Sequence, residues 1–356
     1  MKIRFRLLVI FGCTLALALA LFYWSQASRV PLSTGIIPEL SSLTQKPEPS
    51  PISIEYLRTL AIESAAPVIE ETLPAGANYQ RYLASYQSEG YKVYGLLTVP
   101  KTEMPEDGYP AVIFNHGYIP PSQYETTGSY VAYVDYLARN GLVVFKIDFR
   151  GNGRSEGDSS GSYFSSAYTI DAISALKSLQ QFDSVNPNRI GMWGHSMAGN
   201  TTLRAMLVTD QIKAGVIWAG AVYSYQDFVT YGISDTSYVH RPDTAKEGRA
   251  QRDREVSPEI QKIRTEPQSI DFNDPFWHSI SLTQNIGYLS APLQLHHAVN
   301  DPVVNIGYSR DLVETLKAND KIYEFHEYAG GGHNISSPYF ERAMQETVTY
   351  FKNNLN

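Results

Sequence analysis

Ser196 lies in Gly194-His195-Ser196-Met197-Ala198-Gly199, directly after the apolar run Ile190-Gly191-Met192-Trp193. A serine hydroxyl on such a strand-to-helix turn stands above the end of a sheet, where a substrate carbonyl can reach it. Small residues beside it let strand and helix approach closely. The chemistry this setting predicts is acyl hydrolysis through a serine ester. The usual last glycine of G-x-S-x-G is Ala198 here, with Gly199 one step later. One extra methyl group weakens the bare motif and still leaves close packing feasible.

A serine hydroxyl needs a base to take its proton, and the base needs a third group to hold its tautomer. Where a nucleophile sits on such an elbow, the acid and then the histidine follow it along the chain. Asp301 occurs in Val299-Asn300-Asp301-Pro302-Val303, just after a predicted strand, and His333 in Gly330-Gly331-Gly332-His333-Asn334, just after the last one. Both fall on loops at the edge where the elbow puts Ser196, so the expected set is Ser196, Asp301, His333. Seven other histidines compete in principle. His326 lies within the last predicted strand, and His296 and His297 precede the acid loop. His195 adjoins the serine and suits a supporting role better than that of base. Asp271 and Asp274 fall in an irregular stretch and fit the acid poorly.

A developing oxyanion needs fixed donors. The backbone N–H of Met197 supplies one, and the loop Asn115-His116-Gly117-Tyr118 offers the N–H of Tyr118 as the second. Glycines in Asp148-Phe149-Arg150-Gly151-Asn152-Gly153-Arg154-Ser155-Glu156-Gly157 invite a phosphate-loop reading, but their spacing fits neither a P-loop nor a dinucleotide fingerprint. A rigid shoulder braced by Asp148 and Arg150 suits them better. With dispersed histidines and no H-E-x-x-H, neither a metal nor an organic cofactor is expected.

The elements that must carry these residues read as strands alternating with helices. Tyr79–Gln87 and Tyr91–Val99 form an expected hairpin about Ser88-Glu89-Gly90. Strands follow at Ala111–Asn115, Leu142–Phe149, Arg189–Trp193, Ile212–Trp218, Leu289–His296 and Lys321–Tyr328. Helices are expected at Ser129–Arg139, Tyr168–Gln181, Met197–Val208, Val304–Ala318 and Ser337–Phe351, with a short one within Ser53–Glu70. That alternation calls for an α/β class with a mainly parallel sheet flanked by helices on both faces. The pattern lapses over 221–287, which is rich in aromatic residues and reads as a helical cap inserted above the carboxyl ends of the strands.

Taken together, His116-Gly117, the 148–157 loop, Arg189–Gly199, Asp301-Pro302-Val303 and Gly332-His333 resemble the α/β-hydrolase superfamily. The branch is that of prolyl-oligopeptidase-type catalytic domains, acylaminoacyl peptidases and dienelactone-hydrolase-like esterases. The resemblance spans about Tyr79 to Asn356. It implies an α/β-hydrolase fold, a triad of Ser196, Asp301 and His333, and oxyanion donors at Tyr118 and Met197. Peptidases of that branch usually carry a large N-terminal β-propeller, for which this chain has no room. The branch itself holds esterases and peptidases alike.

Composition bounds the rest. With 356 residues, 43% hydrophobic and 18% charged, the chain is a folded protein rather than a disordered one. Net charge is −7 with no basic stripe through the body, which argues against nucleic-acid binding. At the N-terminus, Lys2, Arg4 and Arg6 precede a nearly unbroken apolar run from Leu7 to Trp24. This reads either as an export signal cleaved after Ala27 or as a retained membrane anchor over residues 7–24. Either outcome places the protein in the cell envelope or outside the cell. The sole cysteine, Cys13, lies in that run, so no disulfide is expected in the body. A lipid-attachment reading of Ile10-Phe11-Gly12-Cys13 is weaker, because so little apolar chain precedes it. Residues 28–78 read as a proline-rich linker and lead-in, and 79–356 as the catalytic domain. The expected reaction is hydrolysis of small or aromatic acyl esters; short peptides are the alternative substrate, and an inactive binding scaffold is disfavoured by the complete triad. Oligomeric state is not legible.

Overall fold

The computed structural model describes residues 49–159, 162–233 and 258–355. The expected export segment 1–27, the lead-in as far as residue 48 and residues 234–257 of the expected cap lie outside them. Nine strands form one sheet: β1 (Val68–Leu73), β2 (Tyr79–Ser88), β3 (Tyr91–Pro100), β4 (Tyr109–Asn115), β5 (Val143–Ile147), β6 (Val185–His195), β7 (Gly215–Trp218), β8 (Leu293–Ala298) and β9 (Tyr323–Tyr328). Their spatial order is β1-β2-β3-β5-β4-β6-β7-β8-β9. The first three pair antiparallel, as do β3 and β5, and every later pairing is parallel.

Strand β4 shows why the sheet is buried on both sides. Ala111 and Ile113 point into one core, and Val112 and Phe114 into another. Alternate residues of a strand face opposite ways, so an unbroken apolar run needs helices on both faces. One face is covered by α1 (Ile54–Thr59), α3 (Ala167–Leu179), α4 (Met197–Val208) and α8 (Gly307–Ala318), and the other by α2 (Val131–Arg139) and α9 (Phe340–Asn354). This is the α/β-hydrolase fold.

Two parts of the lead-in belong to the body. Ile54 and Leu57 of α1, the short helix expected within Ser53–Glu70, are fully buried against α4, and Val68–Leu73 adds an edge strand that was not expected. The helix stops at Thr59 because Leu60 is already extended, at φ −74° and ψ 131°, with its N–H donating to Leu57 O at 3.2 Å. Between β7 and β8 the described segments are α5 (Tyr225–Tyr231), α6 (Pro258–Thr265), α7 (Pro275–Ile280) and a 3-10 stretch, Thr283–Tyr288. The expectation of a cap above the strand ends does not hold for the last two. Trp277, Ile280 and Ile286 are buried, and these segments pack against α1, α4 and α8 within a helix layer. Short helices with one apolar face gain more from that core than from standing over a solvated edge.

The 148–157 loop is braced by a buried ion pair. Arg150 Nη2 lies 2.7 Å from Asp171 Oδ1 on α3, and Ser88 Oγ–H donates to the same oxygen at 2.6 Å. Because Asp171 is fully buried, removing it leaves the inner edge of the guanidinium unmatched, with only Glu89 still paired to Nη1 at 2.8 Å. Asp171→Ala is expected to lower the unfolding free energy by about 3–5 kcal/mol. Urea unfolding measures this, and a loss near zero would show that the loop does not depend on the pair.

Candidate active site

Strand β6 ends at His195 and α4 starts at Met197, so Ser196 makes the whole connection. Its backbone sits at φ 55° and ψ −123°, a conformation that a non-glycine residue adopts only when its surroundings enforce it. Ser196 N–H donates to Trp218 O at 2.9 Å, and Gly199 N–H donates back to Ser196 O at 2.8 Å. Ala198 is fully buried, so the extra methyl group is accommodated. The close approach falls instead at Gly199, where a β-carbon would lie 2.6 Å from Gly220 Cα and 2.8 Å from Ile217 Cγ2. Sequence reading looked for that role at the motif's last position; the helix meets the β7 end one residue later.

Asp301 and His333 come together as expected. His333 Nδ1–H donates to Asp301 Oδ2 at 2.8 Å, which leaves Nε2 as the free basic nitrogen. Ser196 and His333 line one cavity of about 650 Å³ with Gly117, Tyr118, Tyr130 and Phe340. The Asp301 side chain is fully buried and receives three further donors. The N–H groups of Val303 and Val304 reach Oδ1 at 2.8 and 3.0 Å, and His297 Nε2 lies 3.2 Å from Oδ2. Burial alone would push the carboxyl up; hydrogen bonds from His297 and His333 outweigh it and hold Asp301 well below the usual carboxylate range.

Sequence reading passed over His297. It is buried, its Nε2 also faces Val304 O at 3.0 Å, and Ser309 Oγ–H donates to its Nδ1 at 2.7 Å. Both neighbours of Nε2 accept, so that nitrogen carries the proton. The available signal was the pair His296-His297 near the end of β8: alternation turns one toward each face, and the one facing α8 lies four residues before the acid.

The donors expected from Met197 and Tyr118 are placed as follows. Met197 is the first residue of α4, where N–H groups lack helical partners. Gly117 O faces His116 Nδ1 at 2.7 Å, and a trans peptide then turns Tyr118 N–H away from His116. The 148–157 loop stands beside them: Tyr124 Oη–H donates to Asp148 Oδ1 at 2.8 Å, and Thr126 Oγ1–H to Oδ2. Burial raises Asp148 to about 6. Among the described residues no group of histidine, cysteine or acidic side chains could hold a metal ion, and no helix is long and apolar enough to cross a membrane.

A strained serine at the strand-to-helix turn, an acid after β8 and a histidine after β9 stand at the carboxyl ends of the strands of an α/β-hydrolase fold, the arrangement that serine hydrolysis needs. The model of the family described as serine aminopeptidase, S33, matches residues 109–244. The chain is 27% identical over 290 residues to the uncharacterized peptidase YtmA of Bacillus subtilis (strain 168), covering 80% of this chain and 99% of that protein. Among solved structures it is similar to dipeptidyl peptidase 4 of Porphyromonas gingivalis, with TM-score 0.60 and 18% identity, over 78% of this chain and 36% of that one. A puromycin-hydrolyzing peptidase of Mycobacterium tuberculosis gives TM-score 0.61 at 19% identity, over 80% and 41%. The chain therefore spans well under half the length of those two peptidases. Acetyl xylan esterase from Paenibacillus sp. R4 gives TM-score 0.60 at 16% identity, over 83% and 91%. At such identities these likenesses concern the fold.

Burial sets a pH dependence of stability. His195 is held down to about 3 and His116 to about 4 by burial, and His296 is lowered likewise. Below pH 6.5 the unfolded chain binds protons at these positions and the folded chain does not, so stability falls as pH drops, by up to about 1.4 kcal/mol per pH unit for each histidine. Asp148 and Asp227, both raised by burial, act in the opposite sense over the lower part of that window. Three histidines against two carboxyls leave a net loss. The urea midpoint is expected to be lower at pH 4.5 than at pH 7; an unchanged midpoint would mean that these rings are protonated in the folded state.

Proposed function

We propose that this chain is a carboxylesterase in which Ser196 attacks the ester carbonyl, His333 is the base and Asp301 holds its ring. His333 Nε2 takes the hydroxyl proton as the Ser196 Oγ–carbon bond forms. The oxyanion is met by the N–H groups of Met197 and Tyr118. His333 then gives its proton to the departing alcohol; in the second half it draws a proton from the water that attacks the acyl carbon and returns it to Ser196 Oγ as the acid leaves. Asp301 stays ionised throughout, because four donors surround it and hold its carboxyl well below the usual carboxylate range.

The observation that carries the hydrolytic reading is the 2.8 Å bond from His333 to a buried carboxylate, in one cavity with a serine on a strained turn. Ester preference rests on the cavity's chemistry. Besides Ser196 and the two histidines, its described lining is Gly117, Tyr118, Ile119, Ala132 and aromatic, hydroxyl and amide side chains, with no aspartate, glutamate, lysine or arginine. A peptidase that grips a free amino terminus needs an anion there. The kinship with a family described as serine aminopeptidase and with a B. subtilis protein named as a peptidase supports the second reading, cleavage of short peptides.

Matched p-nitrophenyl acyl esters and aminoacyl-p-nitroanilides separate the two. Short and aromatic esters are expected to be turned over with kcat/KM at least about a hundredfold above the anilides, a difference of roughly 2.7 kcal/mol in barrier. Comparable or preferred anilide turnover would replace the esterase with the peptidase. Ser196→Ala is expected to abolish either activity with an unchanged unfolding midpoint. Surviving activity in that variant would remove the serine mechanism altogether.

A further inference from the structure

His195 and Tyr130 have no part in the reaction as derived, yet His195 is buried and Tyr130 half-buried at the centre of the site. The His195 ring lies 4.6 Å from that of His333, between centroids. Its Nε2 faces His333 O at 3.0 Å, and its Nδ1 faces Tyr130 Oη at 2.7 Å. A carbonyl only accepts, so Nε2 carries the proton and Nδ1 accepts from the phenol. With its proton committed, Tyr130 Oη receives Gly117 N–H at 2.9 Å. One polarity therefore runs through four groups: Gly117 N–H to Tyr130, Tyr130 O–H to His195, His195 N–H to the His333 carbonyl. Reversing any link leaves a buried donor facing a donor or an acceptor facing an acceptor.

From this geometry we infer that Tyr130 and His195 are positioning residues which lock the loop bearing Tyr118 to the loop bearing His333. The inference rests on the serine-hydrolase reading for its catalytic meaning, though not for the existence of the relay. His333 is thereby held at two points, its ring by Asp301 and its backbone carbonyl by His195. On the other side, the bond from Gly117 to Tyr130 and the bond between Gly117 O and His116 fix the two peptide planes that aim Tyr118 N–H. Gly117 itself is demanded by the lock: a β-carbon there would lie 2.7 Å from Tyr130 Oη and 3.1 Å from His195 Nδ1.

The ring must also remain uncharged for the lock to serve catalysis. A second imidazolium 4.6 Å from His333, between centroids, would oppose the charge that His333 acquires as it takes the serine proton. The groups facing His195 are Tyr130 from the start of α2, His333 from the loop after β9, and Asp301 and His297 from the end of β8 and its loop. Burial, then the His333 charge, keep its proton affinity low, and the aromatic rings of Trp193 and Tyr130 complete the enclosure.

The experiment is a double-mutant cycle in the full chain with Tyr130→Phe and His195→Gln. Each single variant is expected to lose about tenfold to a hundredfold in kcat while KM stays within about twofold. The double variant should lose about as much as the worse single one, because either change breaks the same chain. Losses that multiply, or that appear in KM alone, would overturn the lock and leave two independent packing residues. In protein carrying 15N-labelled histidine, with the resonance assigned by its absence from His195→Gln, His195 should be the neutral Nε2–H tautomer from pH 5 to 8. A protonated ring or an Nδ1–H tautomer would overturn the relay whatever the substrate. A wild-type protein that neither hydrolyses esters or anilides nor reacts with a fluorophosphonate at Ser196 would sink the serine-hydrolase reading. Loss of that reading takes the catalytic meaning of the relay with it, and the nitrogen spectrum separates that failure from failure of the relay.

Discussion

A serine backbone at φ 55° and ψ −123° stores about 1–3 kcal/mol of strain, and the rest of the site depends on keeping it there. Relaxing that one residue would lower the hydroxyl toward the sheet and tilt α4 away from β6. Two backbone bonds, Ser196 N–H to Trp218 O and Gly199 N–H to Ser196 O, hold it from either side. The contact of Gly199 with Gly220 and Ile217 then sets the helix against the end of β7 so closely that the turn has no room to open. The parallel core is what makes this rigid. Strand β6 is paired on both sides, by β4 and β7, and its residues 190–195 are buried. A strained turn on an edge strand would relax by bending the strand; a central strand packed on both faces cannot bend without opening two cores.

The same physics of buried charge is used twice in this molecule, with different results. Asp171 meets a permanent guanidinium, so both charges are matched in every state and the pair only fastens a loop. Asp301 meets two imidazoles and two backbone amides, none of which need carry a charge at rest. Its negative charge is therefore incompletely balanced until His333 takes a proton. A carboxylate with fixed dipoles but no resident cation favours the arrival of positive charge on its neighbour. His297 contributes to that state without competing for the role of base, since its Nε2 proton is shared between two acceptors and its Nδ1 is occupied by Ser309.

The alternation of strands and helices was plain in the sequence because buried parallel strands are short apolar runs and the helices between them are long enough to show their period. Boundaries moved where tertiary contacts overrode local pattern. Arg189–Trp193 looked like the whole of β6, yet pairing with β4 extends it back to Val185 through a polar stretch that no apolar pattern marks. Val68–Leu73 was illegible for a related reason: an edge strand with both faces largely exposed carries no alternation. Segment 275–288 read as cap because its aromatic residues lack a helical period long enough to assign a face. At the site, Ser196, Asp301 and His333 were legible because each sits in a turn of unusual residues directly after a strand. Tyr130 and His297 were not. One precedes a helix and the other lies within a strand, and what they do is visible only once Tyr130 meets His195, 65 residues on, and the turn after β8 folds Asp301 and Ser309 back onto His297.

Substrate choice on such a site turns on electrostatics above the sheet rather than on the chemistry of the serine. Two carboxylates beside the site, Asp301 and Asp148, have fully buried side chains and are already bonded, Asp301 to His333 and Asp148 to Tyr124 and Thr126. Turning either toward an ammonium ion would cost the bonds it already makes. What the described lining offers a cation instead is aromatic rings, those of Tyr118, Tyr133 and Phe340. A ring face attracts a cation by about 0.5–1 kcal/mol at an exposed site and roughly 2 when desolvated, less than the cost of removing an ammonium ion from water. The same rings lose nothing by covering an uncharged acyl chain, which gains about 25 cal/mol for each Å² of apolar surface removed from water. That balance is what supports the proposed preference for an uncharged acyl group over a free amino terminus.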